Sequence, residues 1–132
     1  MMKKESEPYV WGQYYRDVIR VRAEDVFYIE NVKHGSMIYA RREYMTPPFE
    51  NGIMSKEKLG SLFQRLKRYG FACPHNSYLV NLQYVEKVRK GTELVLADGT
   101  SLSISRSKAK VFLQQLSEYM NGQDMIQWSK RT

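Results

Sequence analysis

Short segments of β-branched and aromatic residues fill most of the chain between residues 8 and 104, and only two stretches repeat with helical periodicity. Segments of this composition are typical of β-strands. A parallel sheet needs a crossover, usually a helix, between one strand and the next, and no such alternation is present. The pattern therefore predicts a mostly β fold, with antiparallel strands and two flanking helices.

Two strand pairs are predicted in the first half of the chain. The predicted strands span residues 8–17, 18–22, 26–32 and 36–42. A turn near Arg16-Asp17 joins the first pair, and the short loop Lys33-His34-Gly35 joins the second with hairpin chemistry. Residues 46–52, which contain two prolines and a glycine, then interrupt the regular structure.

The first predicted helix follows this interruption. Ser55 is expected to cap it, and Gly70 is expected to end it. Its apolar residues recur at the spacing of one buried helix face: Leu59, Leu62, Phe63, Leu66 and Tyr69. These residues are interpreted as core.

More strands and a last helix are predicted in the second half. Strands are expected at Tyr84–Arg89, Glu93–Leu96 and Ser101–Ile104. Asp98-Gly99 between the last two is a strong hairpin signal. The last helix is expected from about residue 107 to residue 120, with Asn121-Gly122 as its end. The predicted organisation is a polar tail (1–7), one domain (8–120) and a C-terminal tail (121–132).

Length and composition fit one soluble domain inside the cell. The chain has 132 residues, which is enough to bury a core without disulfides or metals. Its single cysteine, Cys73, forms no internal disulfide and fits the reducing cytoplasm. The N-terminus does not resemble a signal peptide, and no apolar run is long enough to span a membrane. We therefore predict a cytoplasmic protein without a membrane partner.

The charge of the chain is unevenly distributed. Residues 1–50 contain eight basic and eight acidic residues, whereas residues 51–132 contain thirteen and six, so the whole net charge of +7 lies in the second part. A one-sided basic charge is typical of nucleic-acid binding. Charge alone fits a solvated surface equally well. It also fits a module that binds acidic proteins or lipids without reading DNA sequence.

Hydrogen-bond donors cluster beside short apolar strands at two places. His75, Asn76 and Ser77 form one group, and Ser105 with Arg106 forms the other. The second group opens the last helix, where three cations and no acid face the positive end of the helix dipole. Serine hydroxyls, free backbone N–H groups and cations make an anion site, for which phosphate is the natural ligand. The alternative is a basic helix end that is simply exposed to solvent.

Catalysis is not expected from these residues. Cys73, His75, Asn76 and Ser77 include the side-chain types of a nucleophile and its base, but they lie within five consecutive residues. Neighbouring side chains diverge along a strand or tight loop, so they cannot converge on one reacting atom. The sequence also contains no glycine-rich phosphate loop and no metal-ligand cluster. We predict a protein that is not an enzyme and that has no cofactor and no small-molecule substrate.

An ordered set of short motifs resembles the LytTR family of DNA-binding domains over roughly residues 9–118. The motifs are Tyr28-Ile-Glu30, His34, His75-Asn-Ser-Tyr-Leu-Val-Asn81 and Ala97-Asp-Gly-Thr-Ser-Leu-Ser-Ile-Ser-Arg106. The resemblance implies an elongated, mostly antiparallel β fold whose loops, rather than a recognition helix, enter the DNA. Such domains usually form the output module of bacterial response regulators in two-component systems.

The resemblance also implies residue roles for sequence-specific binding of double-stranded DNA. His34 would read a base edge in one major groove, and Arg106 would read one in the next. Asn76 would hold the DNA backbone between them, with Ser77 and His75 nearby. Reading two grooves from one face implies a bent duplex. The remaining predicted backbone contacts are Lys33, Arg89, Lys90, Ser105 and Lys108.

This chain departs from the family pattern in two respects. Family members often have a basic residue where this chain has Cys73-Pro74, so a phosphate contact is either absent or supplied by Lys67 or Arg68. No phosphoacceptor receiver domain is present, so the chain is expected to be either an isolated output domain or a stand-alone transcriptional regulator. A second copy bound at direct-repeat DNA sites remains an open expectation.

Overall fold

The described residues of this computed structural model are 8–131, with side chains described as far as Gly122. The predicted polar tail, residues 1–7, lies outside them. The strands are β1 (Tyr9–Tyr14), β2 (Asp17–Arg22), β3 (Val26–Val32), β4 (Gly35–Ala40), β5 (Ile53–Ser55), β6 (Phe71–His75), β7 (Tyr78–Asn81), β8 (Val85–Arg89), β9 (Glu93–Leu96) and β10 (Ser101–Ser103). The helices are α1 (Leu59–Leu66) and α2 (Arg106–Arg131).

The strands form three sheets in which every pairing is antiparallel. The central sheet has five strands in the order β5-β4-β3-β7-β6. The hairpin β1-β2 forms a second sheet, and β10-β9-β8 forms a third. The predicted mostly β, antiparallel fold with two helices is confirmed.

The central sheet separates two apolar cores because successive side chains of a strand point to opposite faces. Ile29 lies opposite Leu79 and belongs to the first core, whereas Tyr28 lies opposite Val80 and belongs to the second. The first core is covered by α1 and the β1-β2 hairpin. The second is covered by the β8–β10 sheet and α2. Strands β3 and β7 are therefore packed on both faces.

Helix α1 has the predicted apolar face but a different start. Leu59, Leu62 and Leu66 are buried, as the periodicity predicts. The predicted cap at Ser55 is wrong, because this serine belongs to β5 and the residue before the helix is Lys58. The hydroxyl of Ser55 instead accepts a hydrogen bond from the N–H of Glu57, at 3.1 Å, within the turn that leads into the helix.

Helix α2 passes through its predicted end. The helix continues to Arg131, so the expected stop at Asn121-Gly122 is wrong. Gly70 does end a helical segment, because it adopts the left-handed region with φ 89°. Gly122 instead stays helical, at a cost of about 1 kcal/mol relative to alanine. A glycine permits a helix end without requiring one.

The turn of the first hairpin lies one residue earlier than the sequence predicts. It is Tyr15-Arg16 rather than Arg16-Asp17, because Tyr14 pairs with Asp17. Among the residues that the structure describes, no helix is both long enough and apolar enough to cross a membrane.

Candidate nucleic-acid interface

Three connections that carry predicted contact residues lie at one end of the central sheet. The β3-β4 turn carries His34, and the β6-β7 turn carries Asn76. Strands β3 and β7 are antiparallel neighbours, and the N–H of Asn31 donates to the carbonyl oxygen of Ser77 at 2.8 Å, so the two turns are adjacent. The N–H of Ser105 donates to the carbonyl oxygen of Pro74 at 2.9 Å, which places the link before α2 beside β6. The order across the sheet is therefore His34, Asn76, Arg106.

The β3-β4 turn holds His34 in an unusual backbone conformation. Val32 pairs with Gly35, which leaves Lys33 and His34 as the exposed turn residues. His34 has φ 69°, in the left-handed region, which costs a residue other than glycine about 1 kcal/mol. Tyr15 and Lys90 also have positive φ in turns, so this conformation follows from the tight geometry of the turn. It holds the exposed side chain of His34 at the tip of the turn.

The base of this turn is fixed against the segment that leads to α1. A Cβ atom at Gly35 would lie 2.2 Å from the carbonyl oxygen of Ser55, so only glycine fits there without movement of β5. The buried hydroxyl of Ser36 donates to the carbonyl oxygen of Glu57, at 2.8 Å. Together these contacts fix the position of His34 relative to the start of α1.

The β6-β7 turn contains a hydrogen bond that defines the state of His75. The N–H of Ser77 donates to Nδ1 of His75 at 3.1 Å, so the neutral ring carries its proton on Nε2. The His75 ring centre lies 5.3 Å from that of Tyr78. Asn76 is exposed at the tip of the turn. His75 therefore stabilises the turn, and its Nε2 proton remains a donor.

Cys73 and Pro74 lie on β6, an edge strand of the central sheet, where the pairing with β7 is irregular between Ala72 and His75. A proline is tolerated there because an edge strand can lack a donor. The Cys73 thiol donates to the carbonyl oxygen of His75, at 3.1 Å. Cys73 is half-buried.

The start of α2 presents Arg106 to solvent. Within the described part of the chain, the side chain of Arg106 has no ion-pair or hydrogen-bond partner. The hydroxyl of Ser105 is buried and, among the same residues, lacks a hydrogen-bond partner. The N–H of Lys108 donates to the carbonyl oxygen of Ser105, at 3.1 Å, and closes the first turn. The guanidinium of Arg106 is therefore free for a ligand.

The β8-β9 turn lies beside the link to α2. The N–H of Ile104 donates to the carbonyl oxygen of Thr92, at 2.8 Å, and this bond brings Lys90 to the same end of the molecule. Lys90 is exposed, with φ 55°. Arg89 is already paired with the carboxylate of Glu93, at 3.2 Å. Lys90 is therefore more available than Arg89 to bind a phosphate.

Asn81, the last residue of the His75–Asn81 motif, is buried and supports the fold. Its side-chain amide donates to the carbonyl oxygens of Val26, at 3.0 Å, and Ala23, at 3.4 Å. Its side-chain oxygen accepts a hydrogen bond from the N–H of Gln83, at 3.3 Å. These bonds join the end of β7 to the start of β3. Asn81 is therefore part of the support for the interface and not part of its surface.

A row of aromatic rings crosses the central sheet behind the turns. Tyr28 stacks on Tyr39 with ring centres 4.6 Å apart, and Tyr78 lies edge-on to Tyr28 at 6.2 Å. Burial raises the pKa of Tyr28 to about 12, and nearby Tyr39 and Glu30 add to the shift. The hydroxyl of Tyr39 donates to the carboxylate of Glu30 at 3.1 Å. Burial also raises the pKa of Tyr39, so Tyr28 and Tyr39 are neutral near pH 7.

A cleft that the sequence does not reveal opens between the first two turns and α1. Its volume is about 620 Å³. It is lined by Asn31, Val32, His34, Gly35, Lys58, Leu59, Gly60, Phe63, Cys73, Asn76 and Leu79. Its residues come from three separate segments, within residues 31–35, 58–63 and 73–79, so no local motif predicts it. In the described ranges, no group of three His, Cys, Asp or Glu side chains is arranged to hold a metal ion.

Comparison with known proteins identifies a matching family and a solved structure with a similar fold. The protein family described as the LytTr DNA-binding domain matches residues 16–117. Among solved structures, the chain is similar to a LytTr DNA-binding domain from Bacillus cereus, whose description assigns it to a methyl-accepting/DNA response regulator. The TM-score is 0.69 at 20% identity, over 82% of this chain and 95% of the other. No curated protein gives a match.

Proposed function

This chain belongs to the LytTr DNA-binding domain family, and from that premise we propose that it is a transcriptional regulator that recognises a specific double-stranded DNA sequence. The observation that carries the proposal is the row of three connections at one end of the central sheet. Their exposed polar residues include His34, Asn76 and Arg106, in this order across the sheet. Such a row can follow one face of a duplex.

Two of these residues are proposed to read bases. Arg106 has a free guanidinium, whose two parallel N–H donors match O6 and N7 of guanine in the major groove. His34 is held at the tip of a strained turn, so its ring projects from the protein surface toward a base edge in the neighbouring groove. Each good base contact gives about 1–3 kcal/mol of discrimination.

The other predicted residues are proposed to hold the DNA backbone. Asn76 and Ser77 contact phosphates between the two grooves, and His75 contributes its Nε2 proton. Phosphate contacts of this kind set register and orientation without reading sequence. The proposed contacts that flank the row are Lys33, Arg89, Lys90, Ser105 and Lys108.

The wider role is proposed from the family. We propose that the chain is an output domain of a two-component response regulator or a stand-alone regulator. We place it in the cytoplasm, where its DNA lies. A second copy on direct-repeat sites would extend the contacts. No small-molecule substrate or catalytic step is part of this proposal.

Selection from a randomised duplex library, repeated at several salt concentrations, tests the proposed function. We expect one enriched motif and a steep loss of affinity with salt, because each phosphate contact contributes about −0.9 to the logarithmic slope. The alternative function is a basic module that binds acidic partners without reading sequence. Salt-dependent binding with no enriched motif would favour that module and overturn sequence-specific regulation.

A further inference from the structure

The cleft between the first two turns and α1 combines an apolar floor with a polar rim. Leu59 and Leu79 are buried in the floor, and Phe63 is half-buried beside them. His34 and Asn76 lie on the rim and are exposed. The two proposed DNA-contacting turns therefore supply residues to a single cavity.

The charge of the cleft favours an anionic occupant. Its lining contains Lys58 and no acidic residue. Lys58 is exposed, and among the described residues its side-chain ammonium has no ion-pair or hydrogen-bond partner. Arg65, by contrast, lies further along α1 and is paired with Glu57 at 2.9 Å. A free cation therefore lies on the lining of the cleft, at the start of α1.

We propose that the cleft holds the sugar–phosphate backbone of one DNA strand, with Lys58 bound to a phosphate and the apolar floor against deoxyribose. This inference rests on the proposed function. A strand that runs from the groove read by His34 to the backbone contact at Asn76 has to pass the mouth of this cleft. Deoxyribose presents apolar carbon and each phosphate presents negative charge, which matches the floor and the rim.

A substitution at Gly60 can block the cleft without destabilising the fold, so an effect on DNA binding can be distinguished from an effect on stability. It is exposed on the cleft, and a Cβ atom there would meet no heavy atom within 4 Å. Gly60→Glu places a negative charge where the strand would lie. The same change favours the first turn of α1, because glutamate has a better helix propensity and suits the positive end of the helix dipole.

The experiment measures DNA affinity and unfolding for Gly60→Glu and Lys58→Gln. We expect Gly60→Glu to be at least as stable as the native protein and to bind every duplex more than tenfold more weakly. Lys58→Gln should bind roughly fivefold more weakly, with a salt slope shallower by about 0.9. The enriched motif should not change in either variant, because phosphate contacts carry no direct sequence information.

Two matched variants serve as controls. Gly60→Gln adds a side chain of similar size without charge and should weaken binding less than Gly60→Glu. Lys56→Gln removes an exposed lysine that does not line the cleft and should leave the salt slope unchanged.

The outcomes separate this inference from the proposed function. If the native protein selects a motif while Gly60→Glu binds within twofold of it and Lys58→Gln keeps its slope, the cleft does not hold DNA although the proposed function stands. If the native protein binds no DNA, both are overturned.

Discussion

The N–H of Ser105 donates a hydrogen bond of 2.9 Å to the carbonyl oxygen of Pro74, and this bond joins the link before α2 to the edge of the central sheet. Pro74 has no N–H of its own, but its carbonyl oxygen is the atom that this contact needs. Arg106 is therefore attached to the same strand that carries the Asn76 turn. The Cys73-Pro74 pair, which departs from the family pattern, contributes to this attachment through its backbone.

Replacement of Arg106 should change which sequence is selected. Arg106→Ala removes the proposed guanine contact, so we expect one motif position to lose its preference, at a cost of about 1–3 kcal/mol. Lys108→Ala is the matched variant on the first turn of α2, and it should weaken binding to all sequences alike. The two variants are compared by library selection. An unchanged motif for Arg106→Ala would contradict base reading by this residue.

Replacement of His34 should stabilise the protein while it damages recognition. Asparagine tolerates the left-handed conformation better than histidine, so His34→Asn should raise the free energy of unfolding by up to about 1 kcal/mol. The motif position read by His34 should be lost. Tyr15→Asn is the control, because Tyr15 has φ 54° in a turn without a proposed contact. It should leave the motif unchanged. Denaturant unfolding and library selection measure the two effects.

Replacement by alanine should have opposite effects at Asn76 and Asn81, which belong to the same sequence motif. Asn81→Ala removes hydrogen bonds to buried backbone groups, so the free energy of unfolding should fall by about 3 kcal/mol. Asn76 is exposed, so Asn76→Ala should change stability by less than about 0.5 kcal/mol while it weakens DNA binding. Equal effects of the two changes on stability would contradict the division between support and contact.

Alkaline pH should destabilise the fold through Tyr28. Burial raises its pKa to about 12, above the ordinary value of about 10, so folding favours the neutral phenol. This contribution to stability is complete below about pH 10 and is lost as the pH rises toward about 12. Tyr28→Phe keeps the stacked ring and removes the ionisable group. Its unfolding should therefore depend less on pH over that range, as followed by denaturant titration. An identical pH dependence in both proteins would exclude this origin.

Local patterns in the sequence predict most of the elements correctly. Asp98-Gly99 predicts the β9-β10 hairpin because a tight turn needs a residue that accepts positive φ, and Gly99 has φ 92°. The stripe of α1 predicts its buried face because only one side of that helix meets the sheet. The structure places His34, Asn76 and Arg106 in this order across the sheet, and their contacts with DNA stay a prediction.

Other features depend on contacts between distant parts of the chain. The insertion of β7 between β3 and β6 is set by pairs such as Tyr28 with Val80, which no local pattern reveals. The cleft is formed by three segments for the same reason. Residue type alone also gives a wrong prediction where the residue is compatible with more than one structure, as at Ser55 and Gly122. Both residue types favour helix ends, yet Ser55 joins a strand and Gly122 stays within a helix.

The width of the central sheet fixes the reach of the protein along DNA. From the middle of the β3-β4 turn to the segment before α2 there are about three and a half strand spacings, or roughly 17 Å at about 4.8 Å each. Successive major grooves on one face of straight DNA are about 34 Å apart. In the proposed complex, the strands are too few to cover that distance, so side-chain length and curvature of the duplex would supply the difference. Sequences that bend easily toward the protein would then bind better than stiff ones with the same contacted bases.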